Sequence, residues 1–255
     1  MRERIETIYA VHGFDSIDPD DLHGRFRWWG LYTQRAQGIP GGKTATLEPH
    51  ELEDEYFMLR VRIDGGALST EQLRVIGQIS RDFARDTADI TDRQNIQLHW
   101  VDIVNVPEIW RRLEAVGLHT TEACGDVPRV ILGSPVAGIA KDELIDPTPV
   151  IQEIARRYIG NPQFSNLPRK YKTAITGHPS QDVVHEINDF AWWACSTRNW
   201  APATTCGWAG DCPPTRAWVS ASARLSPRDR PRTSGRRSPP SSATTATAGC
   251  ATGPG

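Results

Sequence analysis

The chain has 255 residues, enough for one large or two ordinary domains, and its formal net charge of −2 names no partner by itself. It has no apolar run of membrane-spanning length and no signal-peptide pattern at Met1, which sets aside a transmembrane or secreted reading. The near-neutral total hides two unlike parts: residues 1–191 hold 21 Lys+Arg against 29 Asp+Glu, whereas residues 192–255 hold eight Arg, two Asp and neither Lys nor Glu. One cysteine, Cys124, lies in the first part, which fits a reducing cytoplasm.

Taken in order, Arg2–Tyr9 reads as a short helix with Ile5 and Ile8 on one side. A polar turn comes after it, then a segment dense in aromatics (Phe26, Trp28, Trp29, Leu31, Tyr32) without clean periodicity, read as chain that wraps a domain. Pro40, Gly41 and Gly42 make Gly38–Glu48 a loop. Tyr56–Ile63 is a strand, with Phe57, Leu59, Val61 and Ile63 facing one way and Tyr56, Met58, Arg60 and Arg62 the other. Gly65 and Gly66 end it. Ser69 and Gln72 then form a capping box ahead of Leu73, Ile76, Ile79 and Phe83 at helical spacing.

The stretch TDRQNIQLHW, Thr91–Trp100, is the next strand. Its alternation puts Ile96, Leu98 and Trp100 toward a core and Asn95, Gln97 and His99 on the opposite face, with Arg93 and Gln94 at its entry. Pro107–Val116 is a helix with Ile109, Trp110, Leu113 and Val116 inward. Gly125 and Asp126 mark a turn before Arg129 and the short apolar strand Val130–Leu132. Pro147–Ile159 is a helix with Ile151, Ile154 and Tyr158 inward. A strand begins in Leu167–Ile175, with Lys170, Lys172 and Ala174 on one face and Tyr171, Thr173 and Ile175 on the other; Val183–Asn188 begins another element. The strand, helix, strand, helix order from Tyr56 to Val116 implies an α+β sandwich, one sheet with helices on one face.

The polar groups suggest convergence on one anionic cofactor and one small anionic substrate: Arg60, Arg62, Arg129, Lys170 and Lys172, each in a strand or tight loop, add basic groups to those of the Arg93–His99 stretch. Each also has a plain structural reading. Arg60 alone suits a solvated strand face, Lys170 and Lys172 an exposed one, His99 a satisfied histidine beside the core, and Cys124 a small buried residue. Met58 is a packing residue.

From Trp192 onward the composition changes. Five Trp fall within 27 residues, and Ile, Phe, Tyr, Met, Lys, Glu, Gln and His are absent. A disordered low-complexity tail is one reading, poorly matched by the Trp content. A basic nucleic-acid tail is another, without the spacing of a binding motif. A third is GC-rich coding sequence read out of frame: shifting the frame across residues 192–218 with G or C at free positions gives a glycine-rich stretch containing VGGGLSTNP.

Five segments in this order and spacing, FMLRVRIDGG, TDRQNIQLHW, ACGDVPRVILGSP, LPRKYKTAITG and HEIND, resemble the sirohaem-containing sulfite and nitrite reductases, in particular the ferredoxin-dependent actinobacterial type. The resemblance runs from about Arg2 to Ala191, and the shifted VGGGLSTNP resembles the next segment of that family. It implies an α+β fold: an N-terminal wrapping segment over 1–50, a ferredoxin-like half-domain over 51–118, the start of a domain binding sirohaem and a 4Fe–4S cluster over 119–191, and an out-of-frame, disordered tail over 192–255.

The implied chemistry is six-electron reduction of sulfite to sulfide, or nitrite to ammonia, with reduced ferredoxin as donor, in a cytoplasmic enzyme that is monomeric at full length. By resemblance, Arg93, Asn95, Gln97 and His99 line the carboxylate-rich sirohaem, while Arg60, Arg129, Lys170 and Lys172 surround the substrate anion. Charge-assisted donors suit that anion. Lysines can also relay protons, whereas arginine is confined to clamping. The family's cluster cysteines, Cys-x5-Cys and then Cys-x3-Cys, have no counterpart here, and the five-residue gap between Cys206 and Cys212 is coincidence. The expectation is therefore the N-terminal third of such an enzyme, inactive alone. A non-catalytic sirohaem or anion binder and an Arg-rich nucleic-acid binder are the rival readings; the acidic body opposes the latter.

Overall fold

The structure, a computed structural model, describes residues 1–197, 200–207 and 217–219. Strand β2 (Glu53–Val61) is central to the first sheet. Its alternation buries Phe57, Leu59 and Val61 completely. β1 (Leu31–Arg35) pairs with it on one side, Leu31 against Leu59, and β4 (Ile96–Val101) on the other, Leu59 against Leu98. With the two-residue β3 (Asp89–Ile90) the order is β1-β2-β4-β3, antiparallel throughout.

Helices α1 (Thr70–Phe83) and α2 (Val106–Ala115) bury Ile76 and Ile79, and Ile109, Trp110 and Leu113, in the same core as β2 and β4. The Ser69 capping box forms as expected. Gln72 N donates to Ser69 Oγ at 3.1 Å, and Ser69 N donates to Gln72 Oε1 at 2.9 Å. Leu73 departs from the expected apolar stripe and is 57% exposed.

The N-terminal chain is helical over residues 2–12, but Ile8 is exposed, contrary to the sequence reading. Ile5–Tyr9 forms a wide π-type turn that keeps Ile5 inward, as expected, and brings Tyr9 inward in place of Ile8. Tyr9 OH donates to the buried Asp21 carboxylate at 2.6 Å, with Arg4 and Arg25 as its counter-charges. Trp100 is a second correction. Its φ is +55°, and the pairing slips from Leu59–Leu98 to Phe57–Val101. The extra residue is a β-bulge: Val101 takes the core position and Trp100 joins the polar face.

The single sheet with its helices, expected through Val116, is present, and a second sheet follows it. β5 (Leu132–Gly133), β6 (Thr173–Thr176) and β7 (Phe190–Thr197) run parallel, and β8 (Trp200–Gly207) and β9 (Ala217–Val219) extend them antiparallel. Ala174, Ile175 and Thr176 are all buried, as in a parallel strand covered on both faces, so the predicted alternation from Lys170 through Ile175 does not extend through β6. Lys170 and Lys172 precede the strand. α3 (Thr148–Tyr158) packs Ile151 against Ile131 and Ile175, while Tyr158 lies outside on Phe164.

The described residues belong to one unit, Met1–Ala221. Paired strands therefore continue beyond Trp192, where the composition changes; the rest of the segment read as a tail lies outside the described residues. Among the described residues, no helix is long and apolar enough to cross a membrane.

Candidate functional site

The polar face of β1, β2 and β4 carries Tyr32, Met58, Arg60 and Gln97, and the 119–129 loop closes over one edge of it. Arg60 and Gln97 are paired across β2 and β4. Arg60 Nη2 donates to Gln97 Oε1, and Arg60 Nη1 to Cys124 Sγ, both at 3.2 Å. The close approach of β1 depends on Gly30: its φ is +76°, and a Cβ there would lie 2.8 Å from the Arg60 carbonyl oxygen. Cys124 is fully buried and is an electrostatic neighbour of the Tyr32 phenol. Burial first, then the Cys124 thiol, push the Tyr32 phenol up to about 12, against the opposing pull of Arg129 and Arg60.

Arg93 lies at the mouth of the second sheet. Its Nη1 donates to Asn188 Oδ1 at 2.6 Å and its Nη2 to the Val130 and Thr173 carbonyls at 2.8 and 3.3 Å. Burial, and then the neighbouring positive charge of Arg129, hold its pKa below the ordinary arginine value. The Arg129 backbone N–H donates to the Tyr171 carbonyl at 2.8 Å, so the extended segment carrying Lys170 and Lys172 runs beside Arg129. Lys172 Nζ donates to the Ile187 carbonyl at 3.1 Å, and Lys170 is half-buried. The Nε atoms of Arg60, Arg93 and Arg129 are buried without a hydrogen-bond partner. Arg129 is an electrostatic neighbour of Arg93, and Arg129 and Arg60 both act on Tyr32, so the three guanidinium groups form a chain of neighbours with donor capacity to spare, which favours an anion.

The remaining expected site residues are engaged elsewhere. Asn95 is buried, and its Oδ1 accepts from the Ile63 N–H at 3.1 Å. His99 Nε2 lies 2.9 Å from Asp89 Oδ2. His99 still borders an open groove of about 570 Å³ on the polar face, shared with Tyr32, Gln97, Trp100 and Met58. That volume suits a small-molecule ligand. Sequence reasoning missed Tyr32, which it assigned to the aromatic wrap, and gave Cys124 only a packing role. The signal for both was tertiary: strand β1 and the Cys124 turn are distant in sequence and meet only in the fold.

The family model described as the nitrite/sulfite reductase ferredoxin-like half domain matches residues 50–116, and that of the nitrite and sulphite reductase 4Fe-4S domain matches residues 124–206. Sulfite reductase (ferredoxin) 2 of Mycolicibacterium paratuberculosis is 69% identical over 191 residues, 75% of this chain and 34% of the relative. The ferredoxin–nitrite reductase of Leptolyngbya laminosa is 38% identical over 188 residues, 72% of this chain and 34% of the relative. The solved structure of the Mycobacterium tuberculosis NirA protein superposes with a TM-score of 0.80 at 60% identity, covering 86% of this chain and 41% of that one. The chain spans about a third of the length of the curated relatives it matches. With two consecutive domains of one family matched, and the same fold in a 60% identical solved structure, the chain belongs to the nitrite and sulfite reductase family.

Proposed function

We propose that this chain forms the oxyanion and tetrapyrrole side of a sirohaem-dependent reductase that takes sulfite to sulfide, or nitrite to ammonia, by a six-electron reduction with ferredoxin as donor in the cytoplasm. The observation that carries the reading is the convergence of Arg60, Arg93 and Arg129, each with a buried Nε that lacks a partner. Sirohaem is rich in carboxylates, so this donor set fits it. Sulfite is favoured over nitrite because the 69% identical relative bears the sulfite reductase name.

The cluster is a different matter. Among the described residues, no group of three or more His, Cys, Asp or Glu could hold a metal ion, and the cysteines lack the family's paired spacing. These residues do not fit a 4Fe–4S centre, and no step is assigned to one.

Sirohaem, when bound, would supply the redox chemistry for reducing the anion. Arg60 and Arg129 hold the anion's oxygens by charge-assisted donation and keep their protons throughout. Gln97 and Cys124 fix the plane of the Arg60 guanidinium. Oxygen leaving as water requires protons, and Lys170 and Lys172, on the segment beside Arg129, would deliver them. Arg93, bonded to the Val130 and Thr173 carbonyls, contributes a fixed positive charge for the tetrapyrrole's carboxylates.

Titration of the purified chain with sirohaem tests this. A saturable shift of the visible absorption, weakened in Arg93→Met, is expected. No shift at stoichiometric protein would contradict the reading.

A further inference from the structure

Arg62 shares a strand face with Arg60, yet its side chain is completely buried and it does not face the anion site. Its Nε and Nη2 grip Asp64 Oδ2 and Oδ1 at 2.8 and 2.9 Å. Its Nη1 donates to the Glu122 and Pro128 carbonyls at 2.9 and 3.1 Å. One guanidinium therefore ties together the two ends of the loop that carries Cys124 and leads into Arg129. Asp64 continues the clasp: its Oδ1 also accepts from the Ile131 N–H at 2.9 Å. Two residues further on, the Gln94 side chain exchanges both hydrogen bonds with the Gly133 backbone, at 2.8 and 3.0 Å, as a strand partner would. Where Gly133 passes Gly65 there is no room for a side chain, since a Cβ would meet Gly65 Cα at 2.8 Å.

The partners lie on either side of the boundary between the two matched domains, residues 50–116 and 124–206. Arg60 belongs to the first and Arg129 to the second. Their separation is set by whatever registers one domain on the other, and these contacts do that with a planar fork whose donors are fixed in direction.

We propose that Arg62, Asp64 and Gln94 are positioning residues: the Arg62–Asp64 clasp, with Gln94 on Gly133, sets Arg129 and Cys124 against Arg60 and so fixes the geometry of the anion cage. The proposal rests on the reading that Arg60 and Arg129 hold one anion. Arg62→Lys keeps the charge but loses the fork that reaches Asp64, Glu122 and Pro128 together.

The test is hydrogen exchange read by mass spectrometry on the full chain, with sulfite affinity measured by calorimetry on the same samples. Arg62→Lys is expected to speed exchange in residues 122–133 about tenfold while α1 is unchanged, and to weaken sulfite about tenfold, the scale of losing a supporting shell. Exchange in 122–133 equal to wild type overturns the proposal. So does faster exchange with unaltered sulfite affinity. Wild-type protein that binds no sulfite contradicts the cage reading instead, and the clasp is then judged on exchange alone. Should Arg62→Lys fail to fold, Asp64→Asn, which keeps the side chain's shape, carries the same two measurements.

Discussion

Arg60 and Gln97 are Cα partners across β2 and β4, and Arg60 Nη2 donates to Gln97 Oε1 at 3.2 Å. A neutral acceptor holds the guanidinium without cancelling its charge. Gln97→Ala should leave thermal stability nearly unchanged and weaken sulfite binding several-fold, about 1 kcal/mol for one lost orienting bond. Gln97→Glu should weaken it further, because a carboxylate there pairs with Arg60 and competes with the anion. Calorimetry on the two variants checks the order; Gln97→Glu binding as well as wild type would contradict it.

Tyr32 supplies a pH signature. Burial and Cys124 raise its phenol from the ordinary 10.0 to about 12, so the fold favours the neutral form. A group raised in the folded state contributes stability that is fully present below the unfolded pKa and is lost as pH rises through the folded one. Tyr32→Phe should therefore flatten the stability loss between pH 10 and about 12 and remove one late-titrating phenol from the near-ultraviolet titration. An unchanged late component in Tyr32→Phe would assign it elsewhere.

Asp21 gives the opposite sign. Burial raises its pKa, but the Tyr9 hydroxyl, Arg25 and Arg4 outweigh that and hold it below the ordinary 3.8. Its stabilisation is present above the unfolded value and disappears as pH falls through the folded one. Asp21→Asn should cost about 2 kcal/mol, less than a fully buried pair because Arg4 and Arg25 are half exposed. It should also flatten the acid limb of the stability profile. Urea unfolding at several pH values reads both effects.

Two small substitutions separate local from inter-domain stability. Ser69→Ala removes the capping box of α1 and should cost about 1 kcal/mol. Gly133→Ala drives a methyl group to within 2.8 Å of Gly65 Cα and O, and should cost roughly 1–3 kcal/mol as overpacking does. Only Gly133→Ala should also weaken sulfite. Equal losses of affinity in both would show that the site responds to global stability alone.

The compositional break at Trp192 remains a proposal of a shifted reading frame, and the strands β7 to β9 and the family match through residue 206 lie across it. Sequencing the gene across codons 185–255 decides. A neighbouring frame that continues with VGGGLSTNP supports the shift, and confirmation of the present frame removes it.

The strands of the first domain were legible because burial on one face imposes a period of two: Phe57, Leu59, Val61, Ile96 and Leu98 all went where alternation put them. Alternation failed at Trp100, where a bulge inserts one residue, and in β6, which is buried on both faces. Arg60 and Gln97 were legible as polar positions on facing strands. Their meeting with Cys124 and Tyr32 was not, since it depends on a loop whose course is fixed by Arg62 and Asp64 binding distant carbonyl and N–H groups. No local pattern encodes contacts of that sequence separation.

The most direct measurement is sulfite titration of the sirohaem-loaded chain monitored by visible absorption, comparing wild type with the Arg60→Ala, Arg129→Ala double variant. The account predicts a saturable spectral change in the wild type and at least about a tenfold weaker response in the double variant, the scale of losing two charge-assisted donors. Equal responses in the two proteins would contradict the claim that these arginines form the anion cage.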